Sequence, residues 1–528
     1  MPNFQKDQLF LLIKSLNRAE KRNFTLYANR AQSSGEQPDV RKFTQLFDAL
    51  DKMSEYDEKT LLEKLKSYKI KKQHLPNLKR HLYKQILTSL RLIHIQKNID
   101  IEIREQLDFA RILYGKGMYM QALKILERIK KTAREHQQDI LHLEILEFEK
   151  HIEARHITRS RSVKGKLEGL LDESAKRSRI TLAASLLFNL NIEMQGYYIM
   201  YGHIRSDKDG VDVEAFYKKH FPPEVRKRSR LTFFEKVNLS QARMWYAYIL
   251  LKFPDCLESA LEWARLFEQH PQMKEKDPDL YMRALYYVMM FLYFLREPER
   301  HALYLQELEI FYKNNAEQLN TNSQTIAFVY FYLAKLNQYL MIGDYDAGVA
   351  IIEETQAKLN DYRPYSDIHR ILLFHYKFAY FYFASAKYDT ALEYLNEVVM
   401  LKHGYLREDL HHNARLLQII CHYELKNYDL LTYLINNTYR AFAQTKDVSE
   451  VQKATLAFLK KLITTPPSDQ RMVFVQFQQE LTPLTDSRYE RKALLYLDIP
   501  GWVESHVQNR PLPEVRATKE SQRRQSRL

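Results

Sequence analysis

Residues 332–398 read YLAKLNQYLMIGDYDAGVAIIEETQAKLNDYRPYSDIHRILLFHYKFAYFYFASAKYDTALEYLNEV, and they hold one unit twice. Each unit is a helix-forming run, a tight turn ending in Tyr, and a second run. The turns are Gly343-Asp344-Tyr345 and Ala386-Lys387-Tyr388. Three residues after each Tyr stands a small residue, Gly348 or Ala391. Seven after stands an aliphatic one, Ile352 or Leu395, and nine before stands Leu336 or Ala379. This spacing predicts two antiparallel helices in close crossing. The small residue lets the backbones approach, and the aliphatic side chain and Tyr ring fill the space beside the crossing. The register returns at Tyr119, with Ala110, Ala122 and Leu126, and at Tyr428, with Ile419, Leu431 and Ile435.

Such paired helices resemble the tetratricopeptide-repeat superfamily. The chain departs from that pattern in several ways. The last three turn tyrosines lie 43 and 40 residues apart, against a family period of about 34. The Trp and Leu-Gly positions of the first helix are not kept, Leu431 replaces a small residue, and the closing Pro is missing from all four anchored units. The whole-chain pattern also resembles bacterial proteins of this type. The resemblance implies an all-α, right-handed α-solenoid whose concave face binds a protein or peptide, acting as a scaffold without enzymatic activity. Clear repeats cover roughly residues 100–140 and 320–445, and degenerate hairpins are expected between them. The expected organisation is a basic helical domain over 1–100, a repeat superhelix over 101–465, a helical cap over 466–510, and a disordered basic tail over 511–528.

Composition agrees with helices joined by short loops. Only 12 of 528 residues are Gly, about 2% against a usual share of about 7%, and a β-rich chain needs Gly in its turns. The 36 Tyr and 27 Phe are read mainly as inter-helix packing. Two cysteines, Cys256 and Cys421, argue against a disulfide framework and read as small buried side chains. The apolar run Leu9–Ile13 is shorter than a signal peptide requires. No stretch approaches the length of a membrane span, so a soluble, cytoplasmic protein without membrane insertion is expected.

The net charge of +14, with a pI near 9.2, invites an acidic partner. Residues 61–100 hold ten Lys/Arg against Glu63 and Asp100. A short helix over 58–67, a basic connector and a longer helix over 75–97 suggest a helix-turn-helix-like module, with Lys69, Lys71, Lys72, Lys79, Arg80 and Lys84 as an anionic-partner patch. The competing reading is a solvated basic face on a small helical domain, since the connector exceeds the usual 3–4-residue turn. Nucleic acid is therefore the second partner class, behind protein or peptide.

No motif announces chemistry. Gly-rich phosphate loops, G-x-S-x-G, H-E-x-x-H and C-x-x-C are all missing from the sequence. His151, Glu153 and His156 form the nearest metal-like group, but His151 and His156 are five apart and leave a common helix face. His403, His411, His412 and His422 spread over two helices. No cofactor, metal or catalytic residue is assigned. Elsewhere, helices are expected over 163–177 and 179–201, with a loop at Gly202–Gly210. Met472–Phe477 alternates like a strand, yet its helical surroundings favour helix. Trp502 is expected to anchor the cap.

Overall fold

A computed structural model of the chain describes residues 7–33, 40–68, 70–95, 98–156, 165–226, 230–362, 367–400, 408–444 and 448–525. Every regular element among them is helical, so the fold is all-α. Two compact units are present, Met1–Thr181 and Leu182–Leu528. Their boundary falls inside the 36-residue helix Lys166–Tyr201. The two helices expected over 163–201 are thus one, because Arg177-Ser178-Arg179 offers neither Gly nor Pro to break it.

The first unit contains two apolar cores. One gathers Phe24, Leu46, Leu50, Leu65, Leu82 and Ile86. Here Leu75–His94 packs on Gln8–Ser15, Arg18–Ser33 and Val40–Asp51. Local side chains set the helix starts. Asn17 and Glu20 cap each other's main chain reciprocally at 2.9 Å, and the Asp57 carboxylate accepts from the Thr60 N–H at 2.8 Å. The other core joins Ile99–Gly115, Tyr119–Glu135 and Asp139–Arg155 through Ala110, Ala122, Leu126 and Ile145.

In the second unit each helix packs on its near neighbours in sequence. Pro278–Leu295 lies against Phe253–Gln269 before it, and against Pro298–Asn315 and Thr321–Ile342 after it. Ile368–Ala384 packs on Tyr345–Ala350, Tyr388–Met400 and Glu408–Glu424. Pro254, Pro278 and Pro298 sit in first helical turns, where a missing N–H costs nothing. The segment Met472–Phe477 lies in the helix Gln470–Asp486, with Val473, Phe474 and Phe477 buried.

Among the described residues, seven turns across the two units share one backbone form and one spacing to the next helix. Gly117, Gln137, Leu251, Arg296, Gly343, Ala386 and Lys426 have φ between 55° and 79°. In each case the next residue's N–H donates to the carbonyl five residues back, as from Met118 to Leu113, Glu297 to Leu292 and Asn427 to His422. This is the hydrogen bond that closes a helix C-terminus when the residue beyond it turns left-handed. The following helix starts two residues after the left-handed one, at Tyr119, Asp139, Phe253, Pro298, Tyr345, Tyr388 and Tyr428. The four turn tyrosines are therefore first helical residues. Tyr345 is buried, Tyr119 and Tyr388 are half-buried, and Tyr428 is exposed.

The residue three positions into each of these helices is buried every time: Ala122, His142, Cys256, His301, Gly348, Ala391 and Leu431. A Cβ on Gly348 would fall 2.0 Å from a ring carbon of Phe381, so any larger residue must displace that ring. The tyrosine pattern finds four of the seven turns. It misses the ones where Asp139, Phe253 or Pro298 stands in place of Tyr.

The tail is not disordered up to Gln525. Leu512–Gln525 is helical, because Leu512, Val515 and Arg516 recur on one face. Leu512 and Val515 are buried, and Arg516 pairs with Asp498 at 2.5 Å. The polar average of the segment hides this stripe. The residues beyond Gln525 lie outside the described residues.

Candidate functional site: a tyrosine-lined cavity

Within the second unit, Pro278–Leu295, Thr321–Ile342 and Ile368–Ala384 border a cavity of about 440 Å³. Its wall is rich in aromatic residues, including Trp245, Tyr286, Tyr287, Tyr293, Tyr376 and Tyr380. The helical period explains this supply. Tyr286 and Tyr293 are seven apart on one helix, and Tyr376 and Tyr380 are four apart on another, so each pair shares a face. Burial pushes the phenols of Tyr293, Tyr376 and Tyr380 above their ordinary value. They stay protonated at neutral pH, and Tyr293 and Tyr376 act as donors.

Two of these donors hold peptide main chain. The Tyr293 hydroxyl donates to the Leu495 carbonyl at 3.2 Å, and the Tyr376 hydroxyl to the Tyr496 carbonyl at 3.0 Å. The acceptors are the final residues of the short helix Arg491–Tyr496, and Leu497 continues as extended backbone. Below them Arg516 reaches Asp498, lies 5.9 Å over the Tyr380 ring, and donates to the Leu340 carbonyl at 3.5 Å. Burial pushes the Asp498 carboxyl up, but Arg516 and Arg296 outweigh it and hold the carboxyl down at about 2. The other Asp498 oxygen accepts from the Gly501 N–H at 3.1 Å and starts the helix Ile499–Gln508. Trp502, on that helix, is buried among Tyr423, Phe458 and Phe474, and its Nε1–H donates to Glu424 at 2.6 Å.

The wall also carries cations. Arg370 lies 5.5 Å over Tyr286 and 5.6 Å over Tyr330, with a guanidinium N–H donating to the Tyr286 hydroxyl at 3.3 Å. Lys377 donates to Asn337 Oδ1 at 2.6 Å and lies over Tyr293 at 5.3 Å. Sequence reasoning reads the Tyr-rich block Tyr281–Phe294 first as inter-helix packing and only second as the wall of a binding groove. The signal it passed over was the run of Arg and Lys on the same helices at the same period.

The basic residues named from sequence are placed separately in the first unit. Lys71, Lys72, Arg80 and Lys84 are exposed, with Lys72 3.4 Å from Glu58. Lys79 is half-buried, 2.7 Å from Asp7, with its Nζ 4.4 Å over the Tyr56 ring. It holds the N-terminal helices together and is not on the surface patch. Lys69 lies outside the described residues.

The histidine groups serve packing. His156 stacks on Tyr119 at 3.9 Å, His151 meets Tyr114 edge-on, and His412 meets Phe442. Glu153 pairs with Lys166. His403 lies outside the described residues. Cys256 and Cys421 are fully buried, and burial pushes both thiols up, which makes them poor nucleophiles. No helix among the described residues is long and apolar enough to cross a membrane. Compared with known proteins, the chain matches no family model and no curated protein.

Proposed function

We propose that the chain is a non-enzymatic scaffold that binds a protein or peptide on the inner face of a tetratricopeptide-like superhelix, in the cytoplasm. The observation that carries this reading is the pair of bonds from Tyr293 and Tyr376 to the Leu495 and Tyr496 carbonyls. A wall that offers fixed phenol donors to consecutive main-chain carbonyls is suited to peptide. It already holds one segment of its own chain this way. The seven turns of common geometry support the repeat architecture, since stacked hairpins form a long preorganised surface.

A pull-down of the tagged full chain, with and without nuclease and at low and high salt, tests this. A protein partner that survives nuclease is expected. Ile199 lines the cavity and is 61% exposed, so Ile199→Glu should leave the fold intact and abolish capture. Equal capture by this variant would sink the reading.

A second reading is binding of nucleic acid through the first unit, favoured by the exposed Lys71, Arg80 and Lys84. It requires recovery of nucleic acid that falls steeply with salt and that is lost in the triple Gln variant of these residues.

A further inference from the structure

The cavity carries more positive charge than its surroundings neutralise. Arg370 rests on a stack of two neutral rings, Tyr286 and Tyr330, whose centroids are 4.3 Å apart at an interplanar angle of 14°. Arg370, half-buried in this wall, has no carboxylate within ion-pair distance among the described residues. The nearby acids are engaged elsewhere. Asp498 pairs with Arg516, and Asp367 on the rim caps its own helix by accepting from the His369 N–H at 3.0 Å. The Tyr380 hydroxyl also faces the cavity, 4% exposed and without a hydrogen-bond partner.

Cations withdrawn from water are ordinarily paired, because an uncompensated one costs desolvation energy. A guanidinium gripped by aromatic faces keeps its N–H edge free, and that edge matches the two oxygens of a carboxylate or phosphate. The flanking tyrosines also offer flat surface to whatever carries the anion. A cavity of about 440 Å³ is the size of a small-molecule site.

We propose that this cavity binds an oxyanion, a carboxylate or phosphate on a flat apolar body, with Arg370 as its principal ligand and the Tyr380 hydroxyl as a neutral donor. The anion is either a free small molecule or a side chain of a bound peptide, and the chemistry is the same for both. The proposal stands apart from the scaffold reading, because a free ligand satisfies it without any peptide.

Calorimetric titration of the full-length protein tests it, using phenyl phosphate, benzoate, benzyl alcohol, and a 12-residue peptide with a central phosphotyrosine or Tyr. Phenyl phosphate or benzoate is expected to bind, weakening with salt, while benzyl alcohol does not. Arg370→Gln should weaken binding at least tenfold. Lys131→Gln, on the exposed face of the first unit, should leave it unchanged. The ligand-free melting temperature of Arg370→Gln should equal or exceed the parent value. Should that variant fail to fold, Tyr380→Phe keeps the ring and is expected to weaken the anion alone. Phosphopeptide binding tenfold tighter than phenyl phosphate identifies a peptide side chain as the source, and equal affinities identify a free ligand. Binding of benzyl alcohol as tight as benzoate, anion binding indifferent to Arg370→Gln, or no binding of any anionic probe overturns the site. In the first two cases a peptide that binds with Tyr or phosphotyrosine alike leaves the scaffold reading standing.

Discussion

Lys426 and Ala386 hold left-handed backbone at φ of 60° and 56°, a conformation that costs an L-residue roughly 1 kcal/mol or more. Gly enters it freely, at the expense of extra entropy in the unfolded chain. Lys426→Gly and Ala386→Gly should each therefore stabilise the second unit by about 0.5–1 kcal/mol, read as a rise in denaturant midpoint at unchanged slope. A fall in midpoint would mean that these side chains make contacts worth more than the strain. Gly348→Ala should act in the opposite sense. Its new Cβ would meet the Phe381 ring, and overpacking of that kind costs about 1–3 kcal/mol. The need for a small residue at 348 is legible in the sequence. Cys256 is legible as a small buried side chain, but its equivalence to Gly348, and that of His301, is not, because no turn Tyr marks the two helix starts before them.

Among elements, the helix Leu512–Gln525 shows where composition misleads. Three residues of one face, Leu512, Val515 and Arg516, fix its place in an otherwise polar segment. Arg516→Ala should cost about 3–5 kcal/mol, since it leaves the Asp498 carboxylate without its partner. Asp498→Asn combined with Arg516→Ala should recover part of that loss, because Asn still caps Gly501 and carries no charge. Chemical denaturation of the two variants checks this, and equal losses would show that packing of the arginine stem dominates. Helix starts at Asn17, Asp57 and Pro278 are set by residues within one turn of each other, so such signals are legible in the sequence. The cavity is not, because Tyr293, Arg370 and Leu495 meet only after some two hundred residues of chain have folded.

For the whole molecule, two buried histidines set the response to acid. Burial pushes His142 down to about 4, reinforced by Arg177 and Arg134 and opposed by Glu173. Burial likewise pushes His301 down to about 4. In each case the unfolded chain takes up the proton first. Their contribution to stability is thus present above about pH 6.5 and is lost as pH falls toward 4, worth up to about 3 kcal/mol each. Asp498, held at about 2, adds a further loss only below its ordinary range. The melting temperature should decline between pH 6.5 and 4.5, and the decline should be shallower in His301→Asn and His142→Asn. A flat parental profile over that window would count against both buried imidazoles.

The seven shared turns are closed by one main-chain bond, from an N–H to the carbonyl five residues back, and no side chain takes part. Substitution can run freely at such a joint while the joint persists: Gly, Gln, Leu, Arg, Ala and Lys all occupy the same left-handed position. Descent within such a chain would erase spelling long before it erases syntax. The seven turns are one architectural sentence written in several vocabularies, and a comparison that matches letters will pass over it in silence.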